Sequence, residues 1–103
     1  MRSMSAAGSD ELPTSISRTF LVRGHVQGVG FRWWTRGQAE RLGISGDVRN
    51  LSDGSVQVRA RGSNQALAAF ASVLSVGPPG ARVTGIDERA GGAVPEDGFK
   101  IER

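Results

Sequence analysis

The sequence predicts an α+β domain in which an antiparallel sheet carries two helices on one face. Three observations lead there. Segments of period two and of helical period follow one another in the order β-α-β-β-α-β, with one extra short strand at the end. Two neighbouring strand segments are joined by Ser52-Asp53-Gly54, and Asp-Gly accepts the positive φ that a tight hairpin requires. Both helical segments run into glycine, Gly43 after the first and Gly77-Pro78-Pro79-Gly80 after the second. A chain of 103 residues has room for one such domain and one core.

Residues 1–16 are rich in Ser, Gly, Ala, Asp and Glu and are expected to form a flexible tail, leaving 17–103 as the domain. From Arg18 the pattern alternates. Phe20, Val22, Gly24 and Val26 share one face, and Thr19, Leu21, Arg23 and His25 share the other, which reads as a strand. A glycine-spaced turn, Gln27-Gly28-Val29-Gly30, follows. The helix expected over Phe31–Leu42 places Phe31, Trp34, Gln38, Ala39 and Leu42 roughly on one face.

A second strand is expected from Ile44 to about Leu51, with Ile44, Gly46, Val48 and Asn50 on one side. The third, Ser55 to Arg61, turns Val56, Val58 and Ala60 inward and Gln57, Arg59 and Arg61 outward. Ser63 is the expected N-cap of the second helix, whose stripe is Leu67, Phe70, Ala71 and Leu74. A fourth strand covers about Ala81 to Arg89, and Phe99 to Glu102 forms a short last one. The order is that of the ferredoxin-like βαββαβ sandwich.

Composition removes several chemistries. Cysteine is absent, histidine occurs once at His25, and twelve of the 13 cations are arginine, Lys100 being the only lysine. There is no disulfide framework, no thiolate nucleophile and no Gly-Lys-Ser/Thr phosphate loop. Zinc ligands are nearly lacking, and Asp47 and Asp53 are single carboxylates rather than a shared magnesium site. The expectation is no metal and no cofactor. A formal charge of +3 is too mild for a nucleic-acid footprint. No apolar run approaches the roughly 18 residues of a membrane span, and the start lacks a secretory apolar region. A cytoplasmic protein with no nucleic-acid and no membrane partner is expected.

Two clusters stand out. Gly24 to Arg32 joins a strand to the start of a helix, where glycines can turn backbone N–H groups inward and the helix dipole favours an anion. Arg32 falls in the first turn, where a cation is normally disfavoured. A bound anion would offset it, and a tight turn followed by a surface arginine is the plainer reading. Gly46-Asp47-Val48-Arg49-Asn50 leads into the Asp53-Gly54 turn. It reads either as an ordinary hairpin or as one whose Asn50 carboxamide holds a water against a bound group. His25 has no evident catalytic partner. Trp33 and Trp34 suit packing or base stacking, but the third strand lacks the aromatic pair of an RNA-stacking sheet.

Together the clusters resemble the acylphosphatase family. Val22-Arg23-Gly24-His25-Val26-Gln27-Gly28-Val29-Gly30-Phe31-Arg32 is similar to its first signature, and Gly46-Asp47-Val48-Arg49-Asn50 with Asp53-Gly54-Ser55-Val56 to its second. Leu42-Gly43-Ile44 and Gly77-Pro78-Pro79-Gly80-Ala81-Arg82-Val83 also fit, so that the resemblance spans about residues 17–103. It implies the same βαββαβ fold and hydrolysis of the carboxyl-phosphate bond of acyl phosphates, giving a carboxylate and inorganic phosphate. It implies that Arg32 is the catalytic arginine on the phosphate and that Asn50 orients the attacking water. The backbone N–H groups of Gln27, Gly28, Val29, Gly30 and Phe31 would cradle the phosphate. No metal, no cofactor and no covalent intermediate are implied, and a monomer is expected. One position departs: Asp47 stands where the family commonly has an aromatic residue.

Overall fold

The computed structural model describes residues 15–95 and 97–103. In chain order it contains β1 (Ile16–His25), α1 (Phe31–Leu42), β2 (Ser45–Asn50), β3 (Val56–Gly62), α2 (Asn64–Val76), β4 (Arg82–Ala90) and β5 (Phe99–Ile101). Residues 1–14 of the expected tail lie outside the described residues, and Ile16 already opens β1, opposite Gly62 on β3.

The sheet order is β4-β1-β3-β2-β5. The four longer strands pair antiparallel, as alternation and the hairpin predict, and the short terminal strand adds beside β2 in parallel. That direction follows from connectivity. The chain leaves β4 at one edge and crosses the whole sheet before it re-enters at the other. Arg59 Nη1 bonds to the Ala93 carbonyl at 3.2 Å, pinning this crossing segment to the sheet.

Register explains the core. Phe20, Val58 and Val48 lie opposite one another across β1, β3 and β2, and Val22 and Val56 form the next row, all fully buried. The two helices cover this face. Phe70 of α2 stands edge-on between Phe20 and Phe99, with ring centroids 6.0 and 6.1 Å away. Burying side chains of this size contributes about 1.5–3 kcal/mol each. In α2 three of the four expected stripe positions, Leu67, Phe70 and Leu74, are buried, and Ala71 is partly covered against the core.

The stripe on α1 needs correction. Its fully buried positions are Phe31, Thr35 and Ala39, while Trp34, Gln38 and Leu42 are only partly covered. The helix meets the core along a narrow seam of i, i+4 and i+8, and Trp34 lies at the seam's edge against the Phe31 ring, 5.3 Å between centroids.

The outer sheet face carries the one departure from the family pattern. Asp47 is buried, and both its oxygens accept from Arg59, directly opposite on β3. The carboxylate raises the Arg59 guanidinium further above its ordinary range. A buried carboxylate is tolerable only when paired and hydrogen-bonded in this way.

β1, β2 and β5 run in one direction. The loop after β1, the start of α1, the end of β2 and the end of β5 therefore meet at one end of the sheet.

Candidate active site

The loop is shaped first by a bulge in β1. The pairing with β4 shifts register between Arg23 and Gly24. Gly24 has φ of 130°, and a Cβ there would lie 2.0 Å from the Arg82 carbonyl oxygen, so β4 can close on β1 only over a glycine. Val26, 1% exposed, then anchors the loop in the core. Gly28 and Gly30 both adopt positive φ, 77° and 76°. Gly30 is the N-cap of α1 in the left-handed conformation and has no side chain with which to cap it.

The consequence is a row of free donors. Among the described residues, no amide from Gln27 to Trp33 donates to a protein acceptor. Trp34 is the first that does, to the Gly30 carbonyl at 3.0 Å. The first turn of α1 contains no acidic residue but does contain Arg32. Unpaired N–H groups and the positive end of a helix dipole suit an anion.

Arg32 is held from outside its helix. Its Nη1 donates to the Glu102 carbonyl at 2.8 Å, and the Glu102 amide donates to the Val48 carbonyl at 2.8 Å. The guanidinium is thus tied through the end of β5 to β2, the strand that ends in Asn50. Its other donors have no protein partner among the described residues.

Asn50 reaches the same place from the other side. Val26, Gly28, Gly30, Phe31, Arg32, Trp33 and Asn50 enclose one cavity of about 210 Å³. The Asn50 Oδ1 is buried and has no hydrogen-bond partner among the described residues. A buried carboxamide oxygen without a donor carries a desolvation penalty that a water or ligand N–H/O–H would remove.

Gln27 does something its spacing does not reveal. Its side-chain Nε2 donates to both the Leu51 and the Ser55 carbonyls, each at 2.8 Å. The hairpin that follows Asn50 is thereby clamped to the loop. The turn is closed internally as well: Ser55 donates its amide and hydroxyl to Asp53 Oδ1, which holds the Asp53 carboxyl below its ordinary pKa of 3.8.

The sequence-derived candidates therefore separate. Gly28, Gly30, Phe31, Arg32 and Asn50 line the common cavity; Gln27 and Val29 do not. Phe31 is 1% exposed and belongs to the core, and it also lines the cavity. Val26 and Trp33 line the cavity and are not among the site residues expected from the sequence. Adjacency of Trp33 to Arg32 in the first helical turn was the available signal. His25 is exposed at the end of β1, opposite Arg82, and does not line the cavity. Asp47 is three residues before Asn50 and on the opposite face, so the departure from the family pattern does not reach the cavity. Among the described residues no three His, Cys, Asp or Glu side chains group as metal ligands, and no helix is long and apolar enough to cross a membrane.

Comparison with known proteins agrees with this geometry. The acylphosphatase family model matches residues 18–101. An acylphosphatase of Alkalilimnicola ehrlichii is 51% identical over 85 residues, covering 82% of this chain and 96% of the relative. One of Actinobacillus succinogenes is 52% identical over 90 residues, covering 85% of this chain and 99% of the relative. The solved structure of an acylphosphatase from Coxiella burnetii superposes with a TM-score of 0.82 at 31% identity, covering 86% of this chain and 94% of that one. The signature residues, the ferredoxin-like sandwich and these relatives converge: the chain belongs to the acylphosphatase family of hydrolases.

Proposed function

We propose that the chain hydrolyses acyl phosphates at the cavity between the Gly28–Arg32 turn and Asn50, with the residue roles that follow. The phosphate sits on the free amides of the Gln27–Phe31 loop, of which Gly28, Gly30 and Phe31 line the cavity. Arg32 grips two of its oxygens in a planar fork. Asn50 Oδ1 accepts a hydrogen bond from the attacking water. The water oxygen bonds to phosphorus as the bond to the acyl oxygen breaks, and the carboxylate leaves with the electron pair. The water's proton passes to a phosphoryl oxygen, so the products are a carboxylate and dihydrogen phosphate.

This division of labour suits the substrate. A carboxylate is a good leaving group, so the protein need only position the reactants and stabilise equatorial charge. Arg32 and the amides offer the positive charge and donors that this requires, and we propose that the reaction needs no metal. We also propose that the domain works as a monomer in the cytoplasm. The observation that supports the reading best is the shared cavity, in which free loop donors, an arginine and an unpartnered Asn50 Oδ1 converge from two distant stretches of chain.

The test is turnover of benzoyl phosphate in the presence of a chelator, followed by release of inorganic phosphate. Steady hydrolysis is expected. Absence of hydrolysis by well-folded protein would exclude the proposed reaction.

A further inference from the structure

A second groove opens beside the phosphate cavity, between α1 and the edge strand β5. Its volume is about 450 Å³, within the range of sites that take small molecules. Arg32 and Trp33 line both cavities, so the two are neighbours that share these side chains. The remaining walls are Arg36, Lys100 and Arg103, with Phe99 and Ile101 as an apolar floor.

The charge of this groove differs from that of the molecule. The whole chain carries a formal charge of only +3, yet four cationic residues and no acidic residue line this one groove. Low-dielectric walls lined by one sign of charge concentrate counter-ions. Arg36 follows Arg32 by one helical turn and so lies on the same face, about 6 Å further along the axis. Its present partner, Glu40 at 3.1 Å, is exposed. Such a pair is weak enough for another anion to displace it. The Arg36 guanidinium also lies over the Trp33 ring, 5.6 Å from its centroid, and that indole is 69% exposed.

From these features we propose that the groove is a second anion subsite that selects acyl phosphates whose acyl part carries a further negative group. The inference rests on the reaction proposed above and names the substrate class for it. Attacking and leaving oxygens lie roughly in line across phosphorus. Asn50, which would hold the water, lines the phosphate cavity and not the groove. The acyl part departs on the side away from Asn50, past Arg32 and toward Arg36. There the apolar floor and the indole take up its carbon skeleton, and Arg36 meets its distal anion in a charge-assisted hydrogen bond.

The experiment compares kcat/KM for 4-carboxybenzoyl phosphate with that for benzoyl phosphate at low ionic strength. The added carboxylate is remote and cannot cyclise onto the acyl phosphate. A preference of about tenfold for the carboxylated substrate is expected, the size of one charge-assisted contact. It should shrink as salt is raised. In Arg36→Gln the ratio should fall close to one. In Arg41→Gln, which removes the same charge at the far end of α1, it should persist. Equal kcat/KM for the two substrates in the unsubstituted protein, or an unchanged ratio in Arg36→Gln, would overturn the subsite while leaving the proposed reaction standing. Failure to turn over either substrate would remove both.

Discussion

At the start of α2, Ser63 turns its hydroxyl onto the Ala66 amide at 3.0 Å. At the start of α1, Gly30 offers no side chain, and the first-turn amides stay free beside an arginine. Both junctions follow a strand and precede a helix of similar length. Glycine at an N-cap is only a few tenths of a kcal/mol worse than serine, whereas a cation in the first turn opposes the dipole by about 0.3–1 kcal/mol. One helix end has a side-chain cap of its own, on the Ala66 amide. The other is left incomplete and is held by distant ones, Glu102 on Arg32 and the 51–55 hairpin on Gln27. Such a local breach, confined to one of two equivalent places, is what the proposed phosphate site would require.

The sharpest way to test this contrast is to remove the groups that belong to the open junction. Arg32→Ala should lower kcat by about 10³-fold, in the range for loss of one preorganised donor to a developing charge. Its stability should stay within about 1 kcal/mol of the parent, because an unfavourable first-turn cation is lost along with one hydrogen bond. Asn50→Ala should lower kcat by about 10²-fold through misplacement of the water, with little change in KM. Steady-state kinetics on benzoyl phosphate and denaturant melts read both. A variant with parental kcat would remove that residue from the mechanism.

Gln27→Ala leaves both of those groups in place and loosens only the clamp between loop and hairpin. We expect about a tenfold loss in kcat, equivalent to about one net hydrogen bond, and faster amide exchange at Leu51 and Gly54. Slower turnover without faster exchange would mean that Gln27 acts on the substrate and not through the hairpin.

Ser63→Ala should do the reverse. The capped junction should lose about 1 kcal/mol of stability in a urea melt, with kcat unaltered. The smallest effect concerns Asp53. Ser55 holds its folded-state pKa below 3.8, so the stabilisation is present above the unfolded carboxylate value and is lost as pH falls through the lower folded value. Asp53→Asn should flatten that acid limb of a stability–pH profile, and an unchanged limb would show that the turn does not depend on the charge.

Much of the fold was legible in local pattern. The helix over Phe31–Leu42 could be bounded from the sequence because Gly30 and Gly43 flank it, and both glycines are left-handed in the structure. Ser63 could be read as a cap because its partner is three residues away. Thr35 escaped because its burial depends on what covers α1, not on its own type. The clamp from Gln27 escaped for a related reason: its acceptors are backbone carbonyls 24 and 28 residues further on, and carbonyls leave no trace in side-chain pattern.

The site divides in the same way. By itself the sequence determined the residue types, the glycines that shape the loop, and the βαββαβ order that both periodicity and family resemblance imply. Those are properties of short segments, set by steric limits on φ and by hydrophobic period. Only the tertiary structure decided that Arg32 and Asn50 face one cavity, that Glu102 orients the arginine, and that Arg36 shares a second groove with the end of β5. These depend on strands β2 and β5 lying side by side in parallel, a pairing made by hydrogen bonds between stretches of chain some 50 residues apart. Backbone hydrogen bonding is the same for nearly every residue type, so no local pattern could announce which distant strand β2 would accept as its neighbour.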